Sequence, residues 1–352
     1  MVAEKLEAFG CDEVTTGIGR TGVVGVIKGR EQGSGRVIGL RADMDALPIH
    51  EITGLDYASQ TDGAMHACGH DGHTAMLLGA AKYLAETRNF DGTAVVIFQP
   101  AEEGGAGGLA MVEDGLMERW EIDEVYGLHN APGIPIGTFG TRVGPLLASA
   151  DEFKIVVTGQ GGHAAEPHKA VDTTLVASQI VVSLQSIVAR NVDPLHRVVV
   201  TVGKFVTDSE ASNVIAHSAT LEGTVRALDP DARAAAEGQV RRVVENTAAA
   251  FGATAEVIWE VGYPVTVNTA DEVGHAVQAA EAAGLEVISD VQPIMPAEDF
   301  SYMLEARPGA YLFVGNGDSA QCHHPAYNFN DEASPYGASF FAELIERRMP
   351  AR

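Results

Sequence analysis

The sequence predicts an α/β protein: a domain built on a mainly parallel, mixed sheet flanked by helices, interrupted by an inserted α+β domain of ferredoxin-like order. Three observations predict it. Short apolar runs end repeatedly in polar or ionisable clusters, with a helical period between them; the middle of the chain instead reads β-α-β-β-α-β; and the opening pattern returns near the C-terminus.

Val37-Ile38-Gly39-Leu40 runs into Arg41-Ala42-Asp43-Met44-Asp45. Thr93 to Phe98 runs into Gln99-Pro100-Ala101-Glu102-Glu103, and Val125-Tyr126-Gly127-Leu128 into His129-Asn130. Between the first two, His73 to Glu86 places Leu77, Ala80, Ala81 and Leu84 at helical spacing. Strands alternating with helices form parallel sheets covered on both faces, and ligands gather beyond the carboxyl ends of their strands. Three strand ends carrying Asp, Glu and His therefore point to one shared site. Late in the chain, Ala310 to Val314 repeats the form ahead of a loop with Cys322, His323 and His324.

In the middle, Phe153–Thr158, Arg197–Phe205, Ala219–Leu228 and Ala255–Val261 read as strands. Val171–Ala189 reads as a helix striped by Ile180, Leu184 and Ile187. Arg233–Phe251 reads as a second, with Val240, Val243, Val244 and Phe251 on its inner face. The expected domains are residues 1–148 with 264–352, and an insertion over 149–263.

The 352 residues carry 48 acidic and 23 basic side chains, 48 − 23 = 25 net negative charges. Such a surface repels phosphate backbones and anionic lipid, so nucleic acid and membrane are poor partners. The longest uninterrupted apolar runs resemble Ala94-Val95-Val96-Ile97-Phe98, and polar residues break up the richer stretch from Thr174 to Ala189. The opening Met1-Val2-Ala3-Glu4-Lys5-Leu6 has no apolar signal core, and the expected location is cytoplasmic. Cys11, Cys68 and Cys322 are too few and scattered for a disulfide framework.

The densest chemistry lies in Met65-His66-Ala67-Cys68-Gly69-His70-Asp71-Gly72-His73. Cys68 and His70 are two apart, so an extended backbone sends both side chains the same way. A thiolate and an imidazole converging suit a borderline-soft divalent metal; a nucleophilic Cys68 with His70 as its base is the rival. The Glu102-Glu103 pair weighs towards metal. On a strand end the two glutamates point opposite ways and take separate work, one as ligand and one as general base. His129 matches them on the next strand end. Asp43 and Asp45 are either ligands or partners holding an imidazole in one tautomer. His163, leaving a glycine turn in the inserted domain, suits an oxyanion donor, and Asn213 and Arg226 suit a substrate carboxylate.

Taken together, Gly39 to Pro48, Met65 to Asp71, Phe98 to Gly104, Gly127-Leu128-His129, Gly161 to Ala164 and His323-His324-Pro325 resemble one family across nearly the whole chain. It is the two-metal metallopeptidase family of aminoacylases, hippurate hydrolases, auxin-conjugate (IAA-amino acid) hydrolases and related carboxypeptidases, with a zinc-exopeptidase-like catalytic domain. The segment Gly317 to Asp331 looks most like the hippurate hydrolase, or N-acyl-L-amino acid amidohydrolase, group. The resemblance implies two divalent ions on Cys68, His70, Glu103, His129 and His323; the Cys and His donors suit zinc, and the carboxylate also admits manganese, cobalt or nickel. His323 is taken over His324 because relatives usually show His-Ser-Pro or His-Asn-Pro, ligand first. It also implies Glu102 as general base, Asn213 and Arg226 at the substrate's carboxylate, and a homodimer or homotetramer joined through the inserted domain, whose His163 reaches the partner's active site. The implied reaction is hydrolysis of an N-acyl amino acid to a carboxylic acid and a free amino acid; a carboxypeptidase or dipeptidase of the same fold and a Cys68-dependent amidase are the alternatives.

Two departures stand out. Family members open with about one further helix bearing Leu-His-x-x-Pro-Glu, and restoring one is expected to raise solubility or thermal stability. Pro296-Ala297 precedes Glu298-Asp299 where relatives usually have glycine or serine.

Overall fold

The computed structural model describes residues 1–352. It divides into two compact units: Met1–Leu146 with Thr266–Gln292 and Asp299–Arg352, and Leu147–Val265 with Pro293–Glu298. The return segment Pro293–Glu298, expected with the catalytic domain, therefore belongs to the second unit. Its backbone ties it there: Ala148 N–H donates to the Pro296 carbonyl at 3.0 Å, and Leu147 bridges to Ile294.

The first unit holds an eight-stranded mixed sheet. Its first six strands in the chain are β1 (Glu13–Ile18), β2 (Gly22–Lys28), β3 (Val37–Asp43), β4 (Thr93–Gln99), β5 (Glu124–Ala131) and β6 (Thr138–Gly140); Glu286–Ile288 and Gly309–Gly315 complete it. The spatial order is β1, β2, β4, β3, β5, Gly309–Gly315, β6, Glu286–Ile288. The central four, from β4 to Gly309–Gly315, are mutually parallel, while β1 with β2, β2 with β4, and β6 with Gly309–Gly315 are antiparallel.

Alternation along β4 explains the two covered faces. Ala94, Val96 and Phe98 enter the core that also holds Leu77, Ala81, Leu84, Phe340 and Leu344 from helices, while Val95 and Ile97, equally buried, face the other way. The helices Val2–Phe9 (α1) and Ser334–Arg348 pack beside the helix His70–Thr87 (α2), and Gly107–Glu113 packs with Ser301–Ala306. Leu77, Ala80, Ala81 and Leu84, the predicted stripe, are all buried on α2.

The second unit runs Asp151–Thr158, helix Thr173–Ser186, Val198–Thr207, Ser218–Ala227, helix Pro230–Ala250, Thr254–Glu260. Its four main strands stand in the order second, third, first, fourth, all antiparallel, which is the ferredoxin-like split. Phe153, Ile155, Val157, Leu221 and Val225 meet Val176, Ile180, Leu184, Ile187, Val240 and Val244 in its core. Asp172 and Asp229 cap the two helices through backbone N–H groups of Thr174 and Leu175, and of Ala232. Thr173–Asn191 is long and apolar enough to cross a membrane, but its Val176–Ile180–Leu184–Ile187 stripe packs into this core. Phe251, expected on the inner face, is 43% exposed because the helix ends at Ala250 and the chain turns there.

Candidate metal centre

Three parallel strands deliver the predicted groups at their carboxyl ends. Strand β3 ends at Asp43 and leads to Asp45; β4 ends at Gln99 and turns into Glu102 and Glu103; β5 carries His129 and Asn130. The loop before α2 brings Cys68, and the loop after Gly309–Gly315 brings Cys322 and His323. Potential ligand atoms converge in overlapping groups, each within 4.8 Å: Cys68 with His70 and His129, Cys68 with Glu103 and His323, and His70 with Glu102 and Glu103. Cys68, His70 and Glu103 each belong to two of these groups.

Local backbone produces this convergence differently from the extended geometry expected. Gly69 lies in the left-handed region at φ 82°, and His70 already opens α2. A Cβ on Gly69 would stand 2.4 Å from both Asn130 Nδ2 and the Tyr327 hydroxyl, so the turn that swings Cys68 and His70 together needs glycine on two counts. At the end of β4 the strand is broken by Ala101 at φ 53°. Glu102 and Glu103 consequently do not point opposite ways; both carboxylates share the group with His70, Glu102 buried and Glu103 partly so.

Each imidazole is oriented by a second partner. His70 Nδ1 meets Asp45 Oδ1 at 3.1 Å, and Asp45 Oδ2 accepts from the Glu103 backbone N–H at 3.0 Å. His70 Nε2 is left buried with no hydrogen-bond partner, the nearest carboxylate oxygen of Asp43 being 3.8 Å away. His129 Nδ1 donates to the Asn130 carbonyl at 2.7 Å, which leaves its Nε2 3.4 Å from Cys68 Sγ. Fixing one ring nitrogen to free the other is how metal-binding histidines are held. An aimed, unpartnered Nε2 among sulfur, nitrogen and carboxylate donors fits a divalent cation. His323 Nε2 lies 2.9 Å from Glu103 Oε1, whereas His324 turns its Nδ1 back to accept from Ala326 N–H at 3.0 Å. Of the two neighbours, only His323 joins the cluster.

Burial opposes protonation of His70, yet the Asp43 carboxylate and the bond to Asp45 outweigh it and lift the ring to about 9. Cys68 is pushed far above the ordinary thiol value, first by donating a hydrogen bond to Cys322 and then by burial. Cys322, accepting that bond, is drawn down to about 6.

Asp43 borders the cluster, in a potential donor group with His70 and His73, but both of its oxygens have other partners. Arg41 Nη1 reaches its Oδ2 at 2.7 Å and His73 Nδ1 its Oδ1 at 2.6 Å. Arg41, wholly buried, also binds Asp299 Oδ1 at 3.0 Å and Gln99 Oε1 at 2.9 Å. Sequence reasoning passed over Arg41, His73 and Asn130 as individual actors; the available signal was a charged residue inside the apolar strand Val37–Asp43.

The other predicted residues sit on the second unit. His163 pairs with Val214 in a two-stranded ladder, and Ala164 N–H donates to the Asn213 carbonyl at 3.0 Å, which sets His163 and Asn213 near each other. Arg226 stands on Ser218–Ala227 opposite Val199.

Comparison with known proteins agrees with this architecture. The model of peptidase family M20/M25/M40 matches residues 39–347. The chain is 43% identical to a hippurate hydrolase of Campylobacter jejuni over 98% of its length and 89% of the relative's. It is 46% identical to an N-acetyl-L-cysteine deacetylase of Bacillus subtilis, covering 94% of this chain and 78% of that one. A solved Bacillus subtilis structure, described as a dinuclear metal-binding peptidase of the M20 family, superposes with a TM-score of 0.86 at 36% identity, covering 99% and 90%. On the match from Gly39 almost to the C-terminus and on these relatives, the chain belongs to peptidase family M20/M25/M40.

Proposed function

We propose that the protein is a metal-dependent amidohydrolase that cleaves N-acyl amino acids, of the hippurate or N-acetyl kind, into a carboxylic acid and a free amino acid. The observation that carries this reading is the overlap of the three donor groups, which share Cys68, His70 and Glu103 and draw in His129, His323 and Glu102. The relatives' names point to the same substrate class.

Cys68, His70, Glu103, His129 and His323 would hold two divalent ions, manganese or zinc first and cobalt or nickel next. Such ions supply Lewis-acid polarisation of the amide carbonyl and a more acidic water. Glu102, buried beside Glu103 and His70, takes the proton of the attacking water and returns it to the leaving amine. We assign Asn213 and Arg226 to the substrate carboxylate, the guanidinium by its planar fork, and His163 to the oxyanion, supplied in a homodimer by the partner. Val198–Thr207, an edge strand with Val199, Phe205 and Val206 exposed, supports pairing through the second unit.

Release of glycine from benzoyl-glycine by chelator-stripped protein, as Mn²⁺ or Zn²⁺ is restored, tests the reading. Activity lost and regained with metal supports it. Activity that survives chelation but falls to a thiol reagent would transfer the chemistry to Cys68. Cleavage of dipeptides in preference to acyl amino acids would make the enzyme a peptidase of the same fold.

A further inference from the structure

His73, the last histidine of the Met65–His73 cluster, is not among the ligands assigned above, yet it is wholly buried one turn along α2 from His70. Both of its ring nitrogens are used. Nδ1 donates to Asp43 Oδ1 at 2.6 Å, and Nε2 accepts from the backbone N–H of Asn130 at 2.8 Å. Asn130 follows His129 on β5, so this amide belongs to the same peptide group as the His129 carbonyl. The Asn130 side chain then crosses to the other ligand segment: its Nδ2 donates to the Cys68 carbonyl at 2.5 Å, and its Oδ1 accepts from the Tyr327 hydroxyl at 2.7 Å. Cys68 and His129, 61 residues apart, are joined through this one asparagine, and their side-chain atoms stand 3.4 Å apart. Behind His73 the chain continues through Asp43 to Arg41, which Gln99 and Asp299 hold in place.

We propose that His73 is a positioning residue: by gripping the Asn130 amide it sets the separation of Cys68 and His129. This rests on the reading of those two residues as metal ligands. The alternation of functions on the ring makes the proposal divisible. Glutamine at position 73 reaches as far as Nε2 and keeps an acceptor for Asn130, but loses the donor to Asp43. Asparagine reaches only as far as Nδ1, keeps the donor to Asp43 and loses the grip on Asn130. Glutamine gives up the bond to Asp43, and asparagine the contacts of Nε2 with the Asn130 backbone N–H and, at 3.0 Å, with its Nδ2; a role in packing alone would lower metal affinity only in step with melting temperature.

The experiment titrates Co²⁺ into chelator-stripped full-length protein. It follows the thiolate-to-cobalt absorption band and measures affinity by chelator competition, beside the melting temperature of each metal-free variant. His73→Asn is expected to weaken Co²⁺ binding about 10–100-fold and to reduce the thiolate band, while His73→Gln stays within about threefold of the parent. Tyr327→Phe removes only the hydroxyl bond that orients Asn130. It keeps the fold accessible if His73→Asn does not fold, and it should weaken binding in the same direction with a diminished thiolate band. Unchanged affinity in His73→Asn, or in Tyr327→Phe where only that variant folds, overturns the proposal. So do equal losses in both position-73 variants that follow their melting temperatures. A parent protein that takes up no Co²⁺ overturns the ligand assignment itself, and the positioning role with it.

Discussion

The two units solve burial in opposite ways. In the first, a sheet with a parallel centre is buried on both faces, and its strand ends carry a continuous polar network: Asp299 and Gln99 to Arg41, Arg41 to Asp43, Asp43 to His73, His73 to Asn130. In the second, an antiparallel sheet packs two helices on one face, and Asp151–Thr158 alternates between buried and more open residues. Two of its predicted functional residues, His163 and Asn213, lie exposed at the short ladder between Gly162–His163 and Val214–Ile215. The difference is instructive. The strand-end groups of the first unit are held by buried partners, whereas His163 and Asn213 of the second are exposed.

The sharpest way to break that contrast is at Glu102. Glu102→Gln should cut turnover by about 10²–10⁴-fold while leaving metal content unchanged. Loss of metal together with turnover, measured by elemental analysis, would make Glu102 a ligand instead of the base. His163→Ala should also lose turnover without losing metal, and mixing it with Glu102→Gln should restore part of the activity if His163 serves a partner; no recovery in the mixture would refute that exchange.

Next in size is the buried network. Arg41→Met removes the cation between Asp43 and Asp299 and should cost about 3–5 kcal/mol by denaturant unfolding, since it strands buried carboxylates. A cost under about 1 kcal/mol would show that other partners carry those charges. In the core of the second unit, Ile180→Ala should cost about 2–5 kcal/mol from its cavity and leave metal binding untouched.

The smallest effect is electrostatic and on the surface. Burial raises the Asp12 carboxyl, but the Lys28 N–H and the Arg88 guanidinium outweigh it and hold it below its ordinary value. A depressed folded pKa means stability present above the unfolded value and lost as pH falls through the folded one. Because Asp12 and Arg88 are each about a third exposed, the contribution is about 1 kcal/mol or less. Asp12→Asn should therefore lower the melting temperature slightly near neutral pH, and the difference from the parent should shrink as the pH falls below the ordinary carboxylate value. A difference that persists in acid would assign the effect to the hydrogen bonds instead of the charge.

The order of elements was legible because periodicity is local. Leu77, Ala80, Ala81 and Leu84 announce α2, and alternation in Phe153 to Thr158 announces its strand, whatever lies elsewhere in the chain. Phe251 misled because an apolar residue just past a helix end keeps the period but loses the face. Cys68 and His70 were legible as chemistry for the right residue types and the wrong geometry: convergence comes from the left-handed turn at Gly69, not from extension. Glu102 and Glu103 repeat that lesson through Ala101.

What the sequence by itself determined is therefore the four central strands and α2 of the first unit, the ferredoxin-like order of the insertion, and the kinds of side chain that end those strands. Only the tertiary structure decided which of them meet. Sheet order places β5 beside β3 and Gly309–Gly315 beside β5, which brings His129 to Cys68 and His323 to Glu103, and two positive-φ turns aim the side chains. Distances between segments remote in the chain are set by sheet register and buried hydrogen bonds, and neither has a local period to read.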